Sequence, residues 1–245
     1  MQYAVALFLD APGKVCGANK EHGVITAQPF ETAEALFDAV LHLVTPVLRN
    51  PGPTAVMVPG GRTPVPLFDA LTSKPIVPGS GLHLGYTDER HVPETDPQSN
   101  YALTVAMIHA LKLPPARVLK VRTELSLEDA AARYHETWRT FFFTGGTIRL
   151  ALLGLGDDGH TCSLFTPEQV RSCDPDRYAA PVLRDTGPHR VTVTPALLQR
   201  VEHIIFLAAG QEKAAVVEAM FREPDTVTAA LAVRDAPQVS LWHVR

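Results

Sequence analysis

Residues 148–160 read Ile-Arg-Leu-Ala-Leu-Leu-Gly-Leu-Gly-Asp-Asp-Gly-His, and the fold is decided there. From Ile148 to Leu155 the residues are almost all apolar. A strand carries such a run when both faces of its sheet are covered, as in a parallel sheet between layers of helix. The run then breaks into Gly156-Asp157-Asp158-Gly159-His160, a glycine turn bearing two carboxylates and an imidazole. In open parallel sheets, ligands bind outside the carboxyl ends of the strands.

The same unit recurs on both sides of this stretch. Residues 55–58 form a short apolar run that ends at Pro59-Gly60-Gly61 and leads into a helix over 66–71. Residues 82–86 read as a strand running into Asp88-Glu89-Arg90, and 100–111 have helical spacing. A short strand is expected over 118–121. Ser126 then opens a helix to about Phe142, with Asp129 three residues on, close to a capping box. Residues 190–194 alternate and are β-branched, 204–209 form another buried strand, and helices are expected over 212–222 and 226–233. Residues 239–244 form a closing strand, and 5–9 and 24–27 are strand candidates near the start. Alternating strands and helices predict an α/β fold: a three-layer αβα arrangement around a mainly parallel, doubly wound, Rossmann-like sheet. The 21 prolines are spread through the loops and mark no linker, so residues 1–245 are expected to form a single domain.

Composition narrows the function. With 46% hydrophobic and 20% charged residues among 245, the chain can bury a substantial core. A net charge of -4 argues against a nucleic-acid partner, whose usual footprint is a strongly basic face. It leaves room for a small anion, which one local cluster of Arg and Lys can bind. No apolar run reaches the length of a membrane span, so no membrane partner is expected. The opening residues lack the pattern of a secretory signal, and Cys16, Cys162 and Cys173 are a sparse, odd set. The expectation is a cytoplasmic protein with reduced thiols.

Four strands are followed by polar or glycine-rich loops: Gly60-Gly61-Arg62-Thr63, Asp88-Glu89-Arg90, Gly156 to His160, and Gly210-Gln211-Glu212-Lys213. Parallel strands would bring all four to one edge, and their convergence predicts an anion-binding active site. In the first loop, Gly-Gly permits close backbone approach, the next helix offers free N–H groups, and Arg62 and Thr63 add donors. The alternative for this loop alone is an ordinary tight turn. Asp88-Glu89-Arg90 is either a solvated charge run or part of the site, and its strand-end position favours the site. Residues 154–159 formally match the G-x-G-x-x-G dinucleotide fingerprint. Asp157 and Asp158 would put negative charge where a pyrophosphate belongs, and the next clear strand lacks the acidic residue expected for a ribose, so nucleotide binding is disfavoured. His160, beside two aspartates at the expected start of a helix, is the better catalytic candidate. No nucleophile elbow or Walker loop is present, and His160, Cys162, Cys173 and His189 fit no compact zinc pattern. Neither a metal nor a cofactor is expected.

These residues, taken in order, resemble the 6-phosphogluconolactonase family. The resemblance is carried by Gly60-Gly61-Arg62-Thr63-Pro64, Asp88-Glu89-Arg90, Ser99-Asn100-Tyr101, residues 154–165 (GLGDDGHTCSLF), Arg190-Val191-Thr192-Val193-Thr194 and residues 210–214 (GQEKA). It implies hydrolysis of 6-phospho-D-glucono-1,5-lactone to 6-phosphogluconate, a step of the pentose phosphate pathway. His160 would be the general base that activates water, with Asp158 or Asp88 supporting it. Gly60, Gly61, Arg62, Thr63, Arg90, Arg190 and Lys213 would bind the substrate and its phosphate. The partner would be a small sugar phosphate, and the protein a monomer or homodimer. The related glucosamine-6-phosphate deaminases resemble this pattern too, but Phe165 falls where their Glu stands and Arg90 where their Tyr stands. A deaminase, or a non-catalytic sugar-phosphate sensor, is the alternative. Arg62 and Pro59 occupy positions where many lactonases carry Ser.

Overall fold

The computed structural model describes residues 25–245. The strand candidate at 5–9 lies outside them. Among the described residues the strands are β1 (Ile25–Phe30), β2 (Thr54–Val58), β3 (Leu82–Tyr86), β4 (Asp88–Arg90), β5 (Val118–Leu119), β6 (Thr147–Gly154), β7 (Ala179–Val182), β8 (Arg190–Val193), β9 (Ile204–Ala208) and β10 (Val239–Val244). The helices are α1 (Ala33–Leu48), α2 (Val65–Ser73), α3 (Asn100–Ala110), α4 (Leu127–Phe143), α5 (Pro167–Arg171), α6 (Pro195–Leu198), α7 (Ala214–Arg222) and α8 (Thr228–Ala232).

Seven strands form a parallel sheet in the order β1-β10-β9-β6-β2-β3-β5. Alternation along each central strand divides the core into two layers, because successive side chains leave opposite faces. Ala55, Met57, Ala151, Leu153, Ile204 and Phe206 join one cluster, packed by α4, α7 and α8. Val56, Val58, Leu150, Leu152, Ile205 and Leu207 join the other, packed by α1, α2 and α3. The sheet is therefore covered on both faces, and the molecule is a three-layer αβα structure.

Local sequence sets the helix ends. Thr32 caps α1 by accepting from the backbone N–H of Ala35 at 3.1 Å, and Leu36, Val40, Val44 and Leu48 make its buried stripe at i, i+4 spacing. Ser126 caps α4 through the N–H of Asp129 at 3.2 Å and returns its own hydroxyl proton to the Asp129 carboxylate at 2.8 Å. No described helix is long and apolar enough to cross a membrane.

Two elements differ from the expectation. Residues 190–193 do not extend the parallel sheet. They form the middle of a three-stranded antiparallel sheet, β4-β8-β7. The loop from β7 to β8, residues 183–189, is too short for the crossover that parallel neighbours require. The charged run 88–90 is itself an edge strand of that small sheet rather than a loop.

The chain moves outward from β2 to β3 and β5, then returns to lay β6 against the other side of β2. That reversal between β2 and β6 opens a crevice at the carboxyl edge, where doubly wound sheets bind ligands.

Candidate active site

A cleft of about 220 Å³ opens at this point. Its lining comes from Gly60, Gly61 and Thr63 after β2, Thr87, Asp88 and Arg90 after β3, Gly156 and His160 after β6, and Lys213 after β9. All four loops singled out by the sequence meet there. The other three expected site residues stand around it. Arg62 is exposed, Arg190 is half-buried and pairs with Arg90 across the β4–β8 ladder, and Asp158 lies beside His160.

The first loop needs its glycines for separate reasons. A Cβ on Gly60 would lie 1.8 Å from Oδ1 of Asn100, so only hydrogen fits there. Gly61 has φ +84°, a left-handed conformation that costs other residues energy. The expected free N–H groups of the following helix are not available. Pro64 and Pro66 have none, and the N–H of Val65 is bonded to the carbonyl of Arg62 at 3.2 Å.

Period-two geometry separates the neighbours in β4. Asp88, 7% exposed, faces the cleft, where its Oδ2 accepts from Ser163 Oγ at 2.7 Å and its Oδ1 from Asn100 Nδ2 at 3.2 Å. Glu89 turns away to the start of α3. Its carboxylate accepts from the N–H groups of Arg90, Asn100 and Tyr101 at 2.8, 2.7 and 2.8 Å, and from Ser99 Oγ at 3.2 Å. Burial pushes the Glu89 carboxyl up despite these donors. Glu89 thus ties the edge strand to the helix and does not enter the site.

The third loop closes on itself through Gly156 N–H to His160 O at 2.8 Å and Gly159 N–H to Gly156 O at 3.0 Å, with Gly159 at φ +83°. His160 therefore sits in a turn and not at a helix start, and α5 begins only at Pro167. The Asp158 carboxylate contacts His160 Nδ1 at 2.5 Å and accepts the His160 backbone N–H at 3.2 Å. Burial pushes the Asp158 carboxyl up, but the hydrogen bonds from His160 outweigh it and hold the group below its usual range. A carboxylate only accepts, so Nδ1 carries the proton, and in the neutral ring the lone pair is on Nε2. The His160 side chain is 32% exposed, open to the cleft rather than packed in the interior.

Lys213 forms an ion pair with Asp157 across the mouth, which neutralises one of the carboxylates of the glycine turn. Cys162, half-buried with φ +54°, also lines the cleft. Burial first, and then the Asp88 charge, push its thiol up, so it is a poor nucleophile.

Four further residues shape the site outside the expected set, and the sequence marks only Phe165 among them individually, at the place of the deaminase Glu. Asn100 and Ser163 fix Asp88, Phe165 packs its ring 5.0 Å from that of His160, and Arg184 lies over Phe165. Asn100, Ser163 and Phe165 stand inside the quoted motifs, so their proximity was legible although their partners were not. Arg184 lies in a loop with no local pattern.

A buried histidine–aspartate pair is not what this cleft holds. The pair is open to solvent, His160 shares the cleft lining with Arg90 and Lys213, and the cleft sits at the reversal of a doubly wound sheet, which together define an α/β fold with a candidate site for a small anion. Residues 27–242 match the family model described as glucosamine-6-phosphate isomerases/6-phosphogluconolactonase, and the chain belongs to this family. It is similar to 6-phosphogluconolactonase of Rattus norvegicus, 34% identical over 167 residues, covering 66% of this chain and 64% of the rat protein. The chain thus spans slightly under two thirds of that relative. It is 33% identical over 176 residues to 6-phosphogluconolactonase of Synechocystis sp., covering 69% and 72% of the two chains. Among solved structures, 6-phosphogluconolactonase of Thermotoga maritima superposes with a TM-score of 0.77 at 26% identity, over 91% of this chain and 100% of that one.

Proposed function

We propose that the protein is a 6-phosphogluconolactonase, hydrolysing 6-phospho-D-glucono-1,5-lactone to 6-phosphogluconate with His160 as general base. The observation that carries this reading is the Asp158–His160 contact, which leaves Nε2 basic on a side chain that lines the cleft. Nε2 takes a proton from water as its oxygen bonds to the lactone carbonyl carbon. The carbonyl electrons move to oxygen, where nearby positive groups stabilise the charge. As the tetrahedral species collapses, the bond from that carbon to the ring oxygen breaks and the imidazolium returns its proton to the departing oxygen. Asp158 stabilises the charged ring in between, and Asp88, bonded to Ser163 and Asn100, supports the cleft wall instead. General-base help of roughly 10²–10⁴-fold suits a substrate that already hydrolyses slowly alone.

Gly60, Gly61, Thr63, Arg90 and Lys213 are proposed to hold the sugar phosphate, with Arg190 behind Arg90 and Arg62 at the rim. Phe165 against His160 favours the lactonase over the deaminase, because the deaminase pattern places a carboxylate where this apolar ring stands. The deciding experiment follows acid release from freshly generated lactone against the spontaneous rate. Acceleration supports the proposal. No acceleration, together with ammonia release from glucosamine 6-phosphate, rejects it in favour of the deaminase.

A further inference from the structure

Three arginines gather beside the cleft without an acid to neutralise them. Arg90 stands opposite Arg190 in the β4–β8 ladder. Arg184 lies on the loop between β7 and β8. Burial first, then the charge of Arg90 and that of Arg184, lower the proton affinity of Arg190 against the opposing pull of Asp88. Among the described residues none of the three arginines forms an ion pair. The nearest acids are engaged, Glu89 with the N–H groups of α3 and Asp88 with Ser163 and Asn100. Nε of Arg90 and Nη1 of Arg190 are buried with no hydrogen-bond partner.

Buried donors without acceptors and clustered like charges both cost free energy unless an anion joins them. Arg184 is held in place for that task. Its guanidinium lies 3.9 Å over the ring of Phe165, which packs on His160. Its backbone N–H donates to Nδ1 of His189 at 3.1 Å, and the His189 carbonyl accepts from the N–H of His91 at 2.9 Å, so the loop is anchored to the strand beside Arg90. A guanidinium fork stacked on an aromatic ring keeps its N–H edge free for a phosphate.

We propose that Arg184 is a further substrate-binding residue, completing with Arg90 and Arg190 a seat for the doubly charged phosphate and so setting the preference for phosphorylated over unphosphorylated lactone. The proposal rests on the lactonase reading and deepens it.

The test compares Arg184→Ala and Arg184→Lys with the parent enzyme on 6-phosphogluconolactone and on unphosphorylated gluconolactone. Arg184→Ala should lower the preference for the phosphorylated lactone about tenfold, with the loss in KM rather than kcat, and Arg184→Lys should fall between. An unchanged preference, or equal losses on both lactones, overturns the proposal. Calorimetry with inorganic phosphate gives a reading independent of turnover. Weaker phosphate binding by Arg184→Ala supports the seat even if the parent enzyme proves not to be a lactonase. Equal phosphate affinity overturns the seat even if it proves to be one.

Discussion

Asp158 holds His160 at two points, contacting ring Nδ1 at 2.5 Å and accepting the backbone N–H at 3.2 Å. The carboxylate therefore fixes both the orientation of the imidazole and the nitrogen that stays basic. Asp158→Asn should lower kcat by about 10- to 100-fold with a much smaller change in KM, because an amide can present its NH₂ to Nδ1 and favour the wrong tautomer. The Asp158 side chain is 64% exposed, so the thermal unfolding midpoint should barely move. Steady-state kinetics on the purified variant check this, and an unaltered kcat would remove Asp158 from the mechanism.

Gly60→Ala should damage the site through Asn100. The new methyl would lie 1.8 Å from Oδ1 of Asn100, and that residue fixes Asp88. Relieving the clash costs about 1–3 kcal/mol, as overpacking usually does. Denaturant unfolding should show a loss of that size together with reduced activity. Wild-type stability would mean that Asn100 yields freely.

Glu89→Gln should destabilise without any direct catalytic part. Three backbone N–H groups and a hydroxyl converge on the carboxylate, and an amide replaces one acceptor oxygen with a donor. Leaving buried donors unsatisfied costs about 1–3 kcal/mol. Equal denaturation midpoints for parent and variant would contradict this account of the strand-to-helix tie.

Stability should fall on mild acidification. Burial holds His83, His135 and His203 below the ordinary histidine range, with smaller charge and hydrogen-bond contributions at His83 and His135. The unfolded chain therefore binds protons more readily near pH 6.5, the ordinary value. The stability these neutral rings contribute is present above that pH and is lost as pH falls through their lower folded values. Thermal midpoints at pH 7.5 and 5.5 should show the fall. His203→Gln, which keeps a donor toward Ser240, should make it shallower, and an identical slope would exclude His203.

The parallel sheet and the four loops that line the cleft were legible because each strand and its terminal turn are written locally, in apolar runs that stop at glycine or charge. What escaped the sequence depends on distant partners. Asp88-Glu89-Arg90 becomes a strand only because residues 190–192 pair with it. The Glu89 cap is invisible until α3 is placed beside it. Residues 33–48 carry the stripe Leu36, Val40, Val44 and Leu48, but Pro46 stands inside the run and obscures its helical pattern. The choice between Asp88 and Asp158 as the partner of His160 also needed geometry, because both flank conspicuous loops.

The central claim is that His160 activates water in a cleft that binds a phosphorylated sugar. Its most direct measurement is the hydrolysis rate of 6-phosphogluconolactone by His160→Ala, paired with calorimetric binding of 6-phosphogluconate. The account predicts a kcat about 10²–10⁴-fold lower with product affinity largely kept. Turnover close to that of the parent enzyme would contradict it.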